Sequence, residues 1–314
     1  MVSRGDFTGR VSHQSSAAAR GTIVDTAFKQ VDVFTLARFQ GNPVAVVMQA
    51  DGLSTRLMRQ IANWTNLSET TFVLPPTRPE ADYRVRIFTP KAELPFAGHP
   101  TIGTAHALLE AGRIKPSNGS LVQECGAGLV RLEVTAGSDG GQWIAFDLPE
   151  PNFSALSAAQ VQEIADLLGT AVVHEPAPQV IDVGPRWIVV QLPSARAVLA
   201  AAPDFARMKT HNAREHCTGI VIFGPHENSE AAAIEVRAFA PAHGIDEDPV
   251  CGSGNGCVAA FIRNARQTDQ FGSRFLASQG AVVGRAGWLR LAVSDSRIQV
   301  GGNAVTCIDG RISI

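Results

Sequence analysis

The chain reads Arg84-Val85-Arg86-Ile87-Phe88-Thr89-Pro90 and, after a short loop, Phe96-Ala97-Gly98-His99-Pro100-Thr101-Ile102-Gly103. A second segment of the same plan reads Glu235-Val236-Arg237-Ala238-Phe239-Ala240-Pro241 and then Val250-Cys251-Gly252-Ser253-Gly254-Asn255-Gly256. In both, an apolar strand pattern ends at a proline, and a glycine turn leads into a stretch of small and apolar residues. The recurrence of this plan indicates that the chain contains two related units.

Two earlier pieces repeat in the same order. Residues 41–47 match residues 184–190, and residues 69–75 match residues 219–225. Four matches in one order predict a duplicated α/β unit, with halves over residues 27–149 and 150–314. Where the two copies differ in polar residues, we expect chemistry to be the reason.

The composition is typical of a soluble globular protein with large cores. Of the 314 residues, 45% are hydrophobic and 18% are charged, and the formal net charge is −2. This balance gives no support to nucleic acid or another polyanion as a partner. The five cysteines form no CxxC pair and no zinc spacing, which favours the cytoplasm, where thiols stay reduced. No apolar run approaches the roughly 20 residues that span a bilayer, so no contact with a membrane is predicted.

Residues 1–26 differ in character from the rest of the chain. They carry Arg4, Arg10 and Arg20 among serine, alanine and glycine. A transit peptide has a similar composition, but Asp6 and Asp25 are present and no apolar face is evident. We therefore expect a disordered leader.

Hydrophobic periodicity predicts a similar series of elements in both halves. The predicted helices cover residues 54–64, 100–109, 157–168 and 254–264. The predicted strands cover residues 29–36, 43–48, 70–74, 83–88, 187–192, 219–223, 234–239, 281–283, 288–293 and 297–300. Each half is therefore expected to be a barrel-like, curved sheet around one apolar central helix, which is 100–109 in the first half and 254–264 in the second.

Both central helices begin at a glycine turn. Unpaired backbone N–H groups and the positive end of the helix dipole make such a terminus a binding site for an anion. If the halves pack with approximate two-fold symmetry, both N-termini converge on one cleft. We therefore expect a small-molecule carboxylate to bind between the halves.

Glu69 is the first candidate for acid–base chemistry. It stands at the start of an apolar strand, and the second copy has apolar residues near Ile220 instead. A carboxylate among apolar neighbours is desolvated, which raises its pKa toward the range useful for general acid–base catalysis. The alternative is an exposed glutamate at a strand end, or an ion-pair partner of Arg84 or Arg86.

His99 stands at the start of the first central helix. There it would face the bound anion, and the positive dipole end disfavours its protonated form. The alternative is a capping histidine that hydrogen-bonds the loop. His106, deeper in the same helix, is expected to be a structural core residue.

Three acids precede the second glycine turn, namely Asp246, Glu247 and Asp248. Asp248 is nearest the turn and is expected to face the cleft, whereas a solvated acidic loop is the alternative. His243 suggests a metal, but no second histidine stands at ligand spacing, so no metal site is predicted. Ser253 is expected to cap the helix, to bind the substrate carboxylate, or to do both.

Cys251 precedes the same turn. A cysteine at a helix N-terminus can have a lowered pKa, and a pair of such cysteines, one from each half, would make a cofactor-independent racemase or epimerase. The equivalent residue of the first half is Ala97, so the second thiol is missing. We interpret Cys251 as a small buried residue beside the substrate. The glycine-rich run 252–256 does not fit a dinucleotide loop, because Cys257 stands where the last glycine or alanine is needed.

Taken together, these motifs resemble those of the phenazine-biosynthesis PhzF-like family, whose fold is shared with diaminopimelate epimerase. The resemblance covers about residues 28–313. The matching segments are residues 33–35, 41–46, 66–73, 86–90, 93–100, 184–186, 247–249 and 252–253.

The resemblance implies two similar halves with the active site between them, a homodimer, and no cofactor. It also implies an isomerase, since the founding activity of the family moves a proton along the ring of trans-2,3-dihydro-3-hydroxyanthranilate. By this resemblance, Glu69 would take and return the proton, while His99 and Asp248 would bind and polarise the polar groups of the substrate. The residues that would anchor its carboxylate are Gly98, Gly252 and Ser253.

The chain departs from the family pattern at Cys251, where threonine is usual, and at Asn255-Gly256, which replace small alanine-type residues. These differences bear on the substrate more than on the proton chemistry. We therefore predict a cofactor-independent isomerase that acts on a small carboxylate-bearing ring or amino acid. The alternatives are a cysteine-dependent amino-acid racemase or epimerase and a non-catalytic protein that binds a small acid on the same scaffold.

Overall fold

The computed structural model describes residues 25–137, 141–227 and 231–314. Most of the expected leader, residues 1–24, lies outside the described residues. Its last two residues are not part of a leader, because Asp25 and Thr26 open the first strand. That strand begins earlier than the hydrophobic pattern indicates, since it is paired along its length with the C-terminal strand, Asp25 lying opposite Ser313.

The elements of the first half follow the predicted order. Its helices are α1 (Thr55–Thr65) and α2 (Gly98–Glu110). Its strands are β1 (Asp25–Val33), β2 (Asn42–Val47), β3 (Glu69–Leu74), β4 (Tyr83–Phe88), β5 (Glu93–Leu94), β6 (Ser120–Cys125), β7 (Gly128–Ala136) and β8 (Gln142–Asp147). Strand β9 (Asn152–Ala155), just beyond the predicted boundary at residue 149, continues the chain from this half into the sheet of the second. The predicted cap of α1 is present, because the hydroxyl of Ser54 accepts a hydrogen bond from the backbone N–H of Leu57 at 3.3 Å.

The second half repeats this order with additional helices. Its helices are α3 (Ala158–Leu168), α4 (Ala195–Ala200), α5 (Phe205–Arg214), α6 (Gly252–Asn264) and α7 (Thr268–Phe271). Its strands are β10 (Gln179–Asp182), β11 (Arg186–Gln191), β12 (Gly219–Pro225), β13 (Ile234–Ala240), β14 (Ile245–Asp248), β15 (Arg274–Gln279), β16 (Gly287–Val293), β17 (Ile298–Gly302) and β18 (Ala304–Ser313).

The duplication holds at the level of single residues. Strands β2 and β3 are parallel and place Val44 opposite Glu69, while β11 and β12 are parallel and place Trp187 opposite Gly219. Strands β3 and β4, like β12 and β13, are antiparallel. The sequence repeat gives the same correspondence, so the prediction of a duplicated α/β fold, with each half a sheet around a central helix, is confirmed.

The sheets of the two halves are joined at more than one place. Strand β8 pairs antiparallel with β17, with Phe146 opposite Val300. In addition, β9 pairs with β10, and β18 pairs with β1, so the last strand of the chain lies in the sheet of the first half. Because β9 pairs in the sheet of the second half and β18 in that of the first, the position of one half is fixed relative to the other.

The central helices α2 and α6 fill the two sheets. Ile102 and Leu108 of α2, and Val258 and Phe261 of α6, are at most 2% exposed. Complete burial of side chains of this size contributes about 1.5–3 kcal/mol each. None of the helices in the described ranges is long and apolar enough to cross a membrane.

The strand predicted over residues 281–283 is wrong. These residues form a turn of 3₁₀-helix between Gly280 and Gly284, in which the N–H of Val283 donates to the carbonyl of Gly280 at 3.0 Å. Both glycines have positive φ angles, 106° and 70°, which interrupt an extended backbone. The apolar triplet therefore resembles a strand only in composition.

We predict that Gly219→Ala destabilises the fold. A Cβ atom there would overlap the backbone carbonyl of Phe239 and lie 2.8 Å from the indole ring of Trp187. Forced overpacking of this kind costs about 1–3 kcal/mol. Gly310→Ala is the matched control, because a Cβ on Gly310 meets no atom within 4 Å. Equal unfolding midpoints in urea for the two variants would contradict this packing.

Candidate active site

Helices α2 and α6 meet at their N-termini, between the two halves. A Cβ atom on Gly252 would lie 3.7 Å from the Cα of Gly98 and 3.7 Å from the backbone nitrogen of His99. A Cβ on Gly98 would lie only 2.7 Å from the ring of Phe146. The absence of side chains at these two positions allows the approach. Two positive helix ends therefore converge on one small region, which is the setting expected for an anion.

Glu69 and His99 form a close pair in this region. The distance between Glu69 Oε2 and His99 Nε2 is 3.1 Å, and the side chains are 13% and 8% exposed. The imidazole also donates a hydrogen bond to the carbonyl oxygen of Pro43. Neither of the facing atoms has a further hydrogen-bond partner among the described residues. With the ring proton directed to Pro43, the Nε2 lone pair faces the carboxyl group of Glu69.

The alternatives considered for Glu69 do not fit its surroundings. An exposed strand-end position is excluded by its burial. Arg86 is paired with Glu93 instead, its Nε lying 2.7 Å from Glu93 Oε1. The carboxyl group of Glu69 is thus directed to the histidine of the central helix rather than to an arginine.

Burial makes both members of the pair neutral at ordinary pH. Desolvation, followed by the nearby charge of Asp248, raises the pKa of Glu69 to about 8. Desolvation lowers the pKa of His99 to about 3, although the bond to Pro43 opposes this. At neutral pH a mostly protonated carboxyl and a neutral imidazole therefore face each other, and Glu69 can lose its proton only slightly above that pH.

Asp248 reaches the same region from the second half. Its Oδ1 accepts hydrogen bonds from the side-chain amide of Asn42 at 2.9 Å and from the backbone N–H of Val250 at 3.0 Å. Burial raises the pKa of Asp248 to about 6, and the N–H of Val250 and the thiol of Cys251 oppose this rise. Asn42 belongs to the first half, so this hydrogen bond joins the halves at the site.

The serine and the cysteine of the second turn have different surroundings. The hydroxyl of Ser253 accepts a hydrogen bond from the indole N–H of Trp187 at 3.0 Å. The sulfur of Cys251 accepts the N–H of Gly254 at 3.3 Å, so the thiol caps α6. Burial raises the pKa of Cys251 well above its ordinary value. With Ala97 at the equivalent cap of α2, the geometry does not support two facing thiolates.

The other candidates lie outside the pair of helix termini. Glu247 binds Arg237 through two hydrogen bonds of 2.9 and 2.8 Å, and both side chains are buried. His106 lies 3.9 Å from Glu110, toward the other end of α2, as expected for a structural residue. Within residues 25–137, 141–227 and 231–314, no group of three side chains could hold a metal ion.

Comparison with known proteins places the chain in a family. A family model described as "Phenazine biosynthesis-like protein" matches residues 31–310. The chain belongs to this PhzC-PhzF family. "Antisense-enhancing sequence 1" of Schizosaccharomyces pombe is 42% identical and aligns over 92% of this chain and 99% of its own length. A trans-2,3-dihydro-3-hydroxyanthranilate isomerase of Pseudomonas chlororaphis is 34% identical, over 90% and 97% of the two chains.

A solved structure shows the same fold. The crystal structure of a Bacillus anthracis phenazine biosynthesis protein of the PhzF family superposes with a TM-score of 0.81, covering 93% of this chain and all of that one, at 24% identity. The resemblance to the PhzF-like family is therefore confirmed, and with it the prediction that the chain is an isomerase.

Three residues that hold this PhzF-like site were not singled out from the sequence. Asn42 binds the side chain of Asp248, Gln279 donates to the backbone carbonyl of Asp248 at 2.8 Å, and Trp187 binds Ser253. A signal for two of them was present. Asn42 and Trp187 lie in the matched segments 41–47 and 184–190, at positions where the two copies differ.

We predict that Glu69→Gln stabilises the protein at high pH. The pKa of Glu69 is about 8 in the fold against an ordinary value of 4.5, so the unfolded chain releases this proton first. Burial of Glu69 therefore destabilises the fold increasingly as the pH rises between these values. The variant should be more stable than the wild type by on the order of a few kcal/mol above pH 8.

Urea unfolding at several pH values measures this difference. Glu80→Gln, which removes an exposed carboxylate, is the control and should follow the wild type. A gap between Glu69→Gln and wild type that stays constant with pH would show that Glu69 has an ordinary pKa.

Proposed function

We propose that the chain is a cofactor-independent isomerase that moves one proton on a small carboxylate-bearing substrate, with Glu69 as the acid–base group. The observation that carries this proposal is the buried pair of Glu69 and His99, 3.1 Å apart, at the meeting point of two helix N-termini. A carboxyl group whose pKa is about 8 can both take and return a proton near neutral pH.

The substrate carboxylate is placed at the N-terminus of α6. The backbone N–H groups of Gly252 and Ser253 lie at the start of this helix, where N–H groups have no acceptor within the helix. With the hydroxyl of Ser253 and the adjoining turn at Gly98, they provide hydrogen-bond donors and a positive potential. The substrate is thereby held with its carbon skeleton toward Glu69.

The proton shift needs Glu69 to begin as the carboxylate. Glu69 removes a proton from one carbon, the remaining electron pair is delocalised over the adjacent double bonds, and Glu69 returns the proton to another carbon on the same face. One C–H bond breaks and one forms, so the product is an isomer and no redox change occurs. Negative charge that develops in the transition state is stabilised by the two helix N-termini.

His99 and Asp248 support this step without transferring the proton themselves. The free Nε2 of His99 accepts a hydrogen bond from protonated Glu69 or from a substrate hydroxyl group. Asp248 accepts hydrogen bonds from an amino or hydroxyl group of the substrate. Its charge also keeps the pKa of Glu69 high, which makes the Glu69 carboxylate a stronger base for removing the substrate proton.

The relatives suggest where to begin the search for the substrate. The Pseudomonas chlororaphis relative is named for trans-2,3-dihydro-3-hydroxyanthranilate, and its alignment spans nearly the whole of both chains. The Schizosaccharomyces pombe relative has higher identity, and its name states no reaction. We therefore propose a small cyclic acid of this type without assigning a pathway. The homodimer and the cytoplasmic location stay predictions.

We predict that the protein exchanges or shifts a substrate proton and that Glu69→Gln abolishes this activity. Proton NMR in D2O with trans-2,3-dihydro-3-hydroxyanthranilate and a few cyclic amino acids measures isomer formation and deuterium uptake. Loss of a general acid–base group lowers the rate by about 10²–10⁴-fold. Glu80→Gln should retain the wild-type rate. Equal turnover by Glu69→Gln would refute the assignment, and no exchange of any bound acid by the wild type would favour a binding protein.

We predict that kcat/KM rises with pH up to about 8, because the reactive form of Glu69 is the carboxylate. Below this pH the rate should fall by about tenfold per pH unit. Asp248→Asn should lower the overall rate. It should also move the rising part of the pH profile of kcat/KM to lower pH, since the charge of Asp248 no longer opposes ionisation of Glu69. If the rising part of the profile stays in place or moves to higher pH in this variant, the electrostatic coupling of the two acids is contradicted.

A further inference from the structure

In each half a side chain from the sheet contacts the second residue of the central helix, but the residue types differ between the halves. Gly98 and His99 begin α2 as Gly252 and Ser253 begin α6. His99 is met by Glu69 at 3.1 Å, and Ser253 is met by the indole nitrogen of Trp187 at 3.0 Å. In both halves, therefore, the second residue of the central helix contacts a side chain of a parallel strand pair. This pair is β2–β3 in the first half and β11–β12 in the second.

The contacting side chain comes from the second strand of the parallel pair in the first half and from the first strand of the equivalent pair in the second half. In the first half the contact is made from β3 by Glu69, and its neighbour on β2 is the smaller Val44. In the second half it is made from β11 by Trp187, and its neighbour on β12 is Gly219. A Cβ on Gly219 would lie 2.8 Å from the indole ring, so the ring adjoins the space where the first half carries its acid. Trp187 is 2% exposed and cannot be displaced without repacking.

The contact with Trp187 determines what the hydroxyl of Ser253 can do. An indole N–H is a donor only, so it occupies a lone pair of the serine oxygen and leaves the hydroxyl proton to be donated elsewhere. A second polar neighbour is the sulfur of Cys251, at the longer distance of 3.7 Å, and that sulfur already accepts the N–H of Gly254. A hydroxyl fixed in this way is preorganised as a donor to an anion.

We propose that Trp187 is a positioning residue that orients the hydroxyl of Ser253 as a hydrogen-bond donor to the substrate carboxylate. The residue acts through Ser253 and does not itself take part in the proton shift. This inference rests on the proposed function, because it requires the carboxylate to lie at the N-terminus of α6.

A double-mutant cycle with Trp187→Phe and Ser253→Ala tests this role. The probe is anthranilate, whose binding is measured by titration calorimetry, and aniline is the matched ligand without the carboxylate. Each single variant should weaken the binding of anthranilate roughly tenfold, the effect of one hydrogen bond to a charged group, and leave that of aniline unchanged. The double variant should bind no more weakly than Ser253→Ala alone, because Trp187 acts through the serine. Trp64→Phe, at a position that is 77% exposed, is the control and should bind as the wild type does.

The outcomes separate this role from the proposed function. Additive losses in the double variant, or an equal loss with aniline, would show that Trp187 only supports packing and would overturn the inference alone. Failure of the wild type to bind anthranilate would overturn both the proposed carboxylate site and the role of Trp187. If Trp187→Phe does not fold, Ser253→Ala still decides, since unchanged binding of anthranilate in that variant removes the donor on which the inference depends.

Discussion

The N-termini of α2 and α6 meet at Gly98 and Gly252, and the other features of the site depend on this approach. No side chain separates the two turns, so two positive helix ends adjoin within a few ångströms. The joined sheets hold them there, because β8 pairs with β17 and strands β9 and β18 cross to the sheets of the opposite halves. Without the joined sheets, Glu69 would not be buried and the hydrogen bond from Asn42 to Asp248 would not form.

The duplicated backbone carries an asymmetric set of side chains, and this asymmetry defines the chemistry. The first half supplies a buried acid and a neutral histidine, and the second supplies a serine held by an indole. A desolvated carboxyl group lowers the stability of the fold at high pH, and the same desolvation gives it a pKa useful for proton transfer. The stability of the fold at high pH and the reactivity of Glu69 therefore both depend on the burial of its carboxyl group.

Much of this could be predicted from the sequence, and the remainder depends on long-range contacts. The repeated glycine turns predicted two central helices, and α2 and α6 begin within two residues of the predicted positions. The apolar strand that follows Glu69 in the sequence predicted that its carboxyl group is desolvated. The pairing of β1 with β18 and the contact of Asn42 with Asp248 join residues far apart in the chain, and no local pattern encodes them. The apolar triplet at 281–283 indicated a strand because composition does not reveal the conformation of its flanking glycines.

At neutral pH the fold keeps Glu69 mostly as the neutral acid beside a neutral His99. Carbon-13 NMR of protein labelled at the glutamate side-chain carboxyls tests it directly, with the resonance assigned by its absence in Glu69→Gln. We expect this carboxyl to titrate at about pH 8 in the wild type. A midpoint near the ordinary value of 4.5 would contradict it, since the group would then be a solvated carboxylate and too weak a base to remove a proton from carbon.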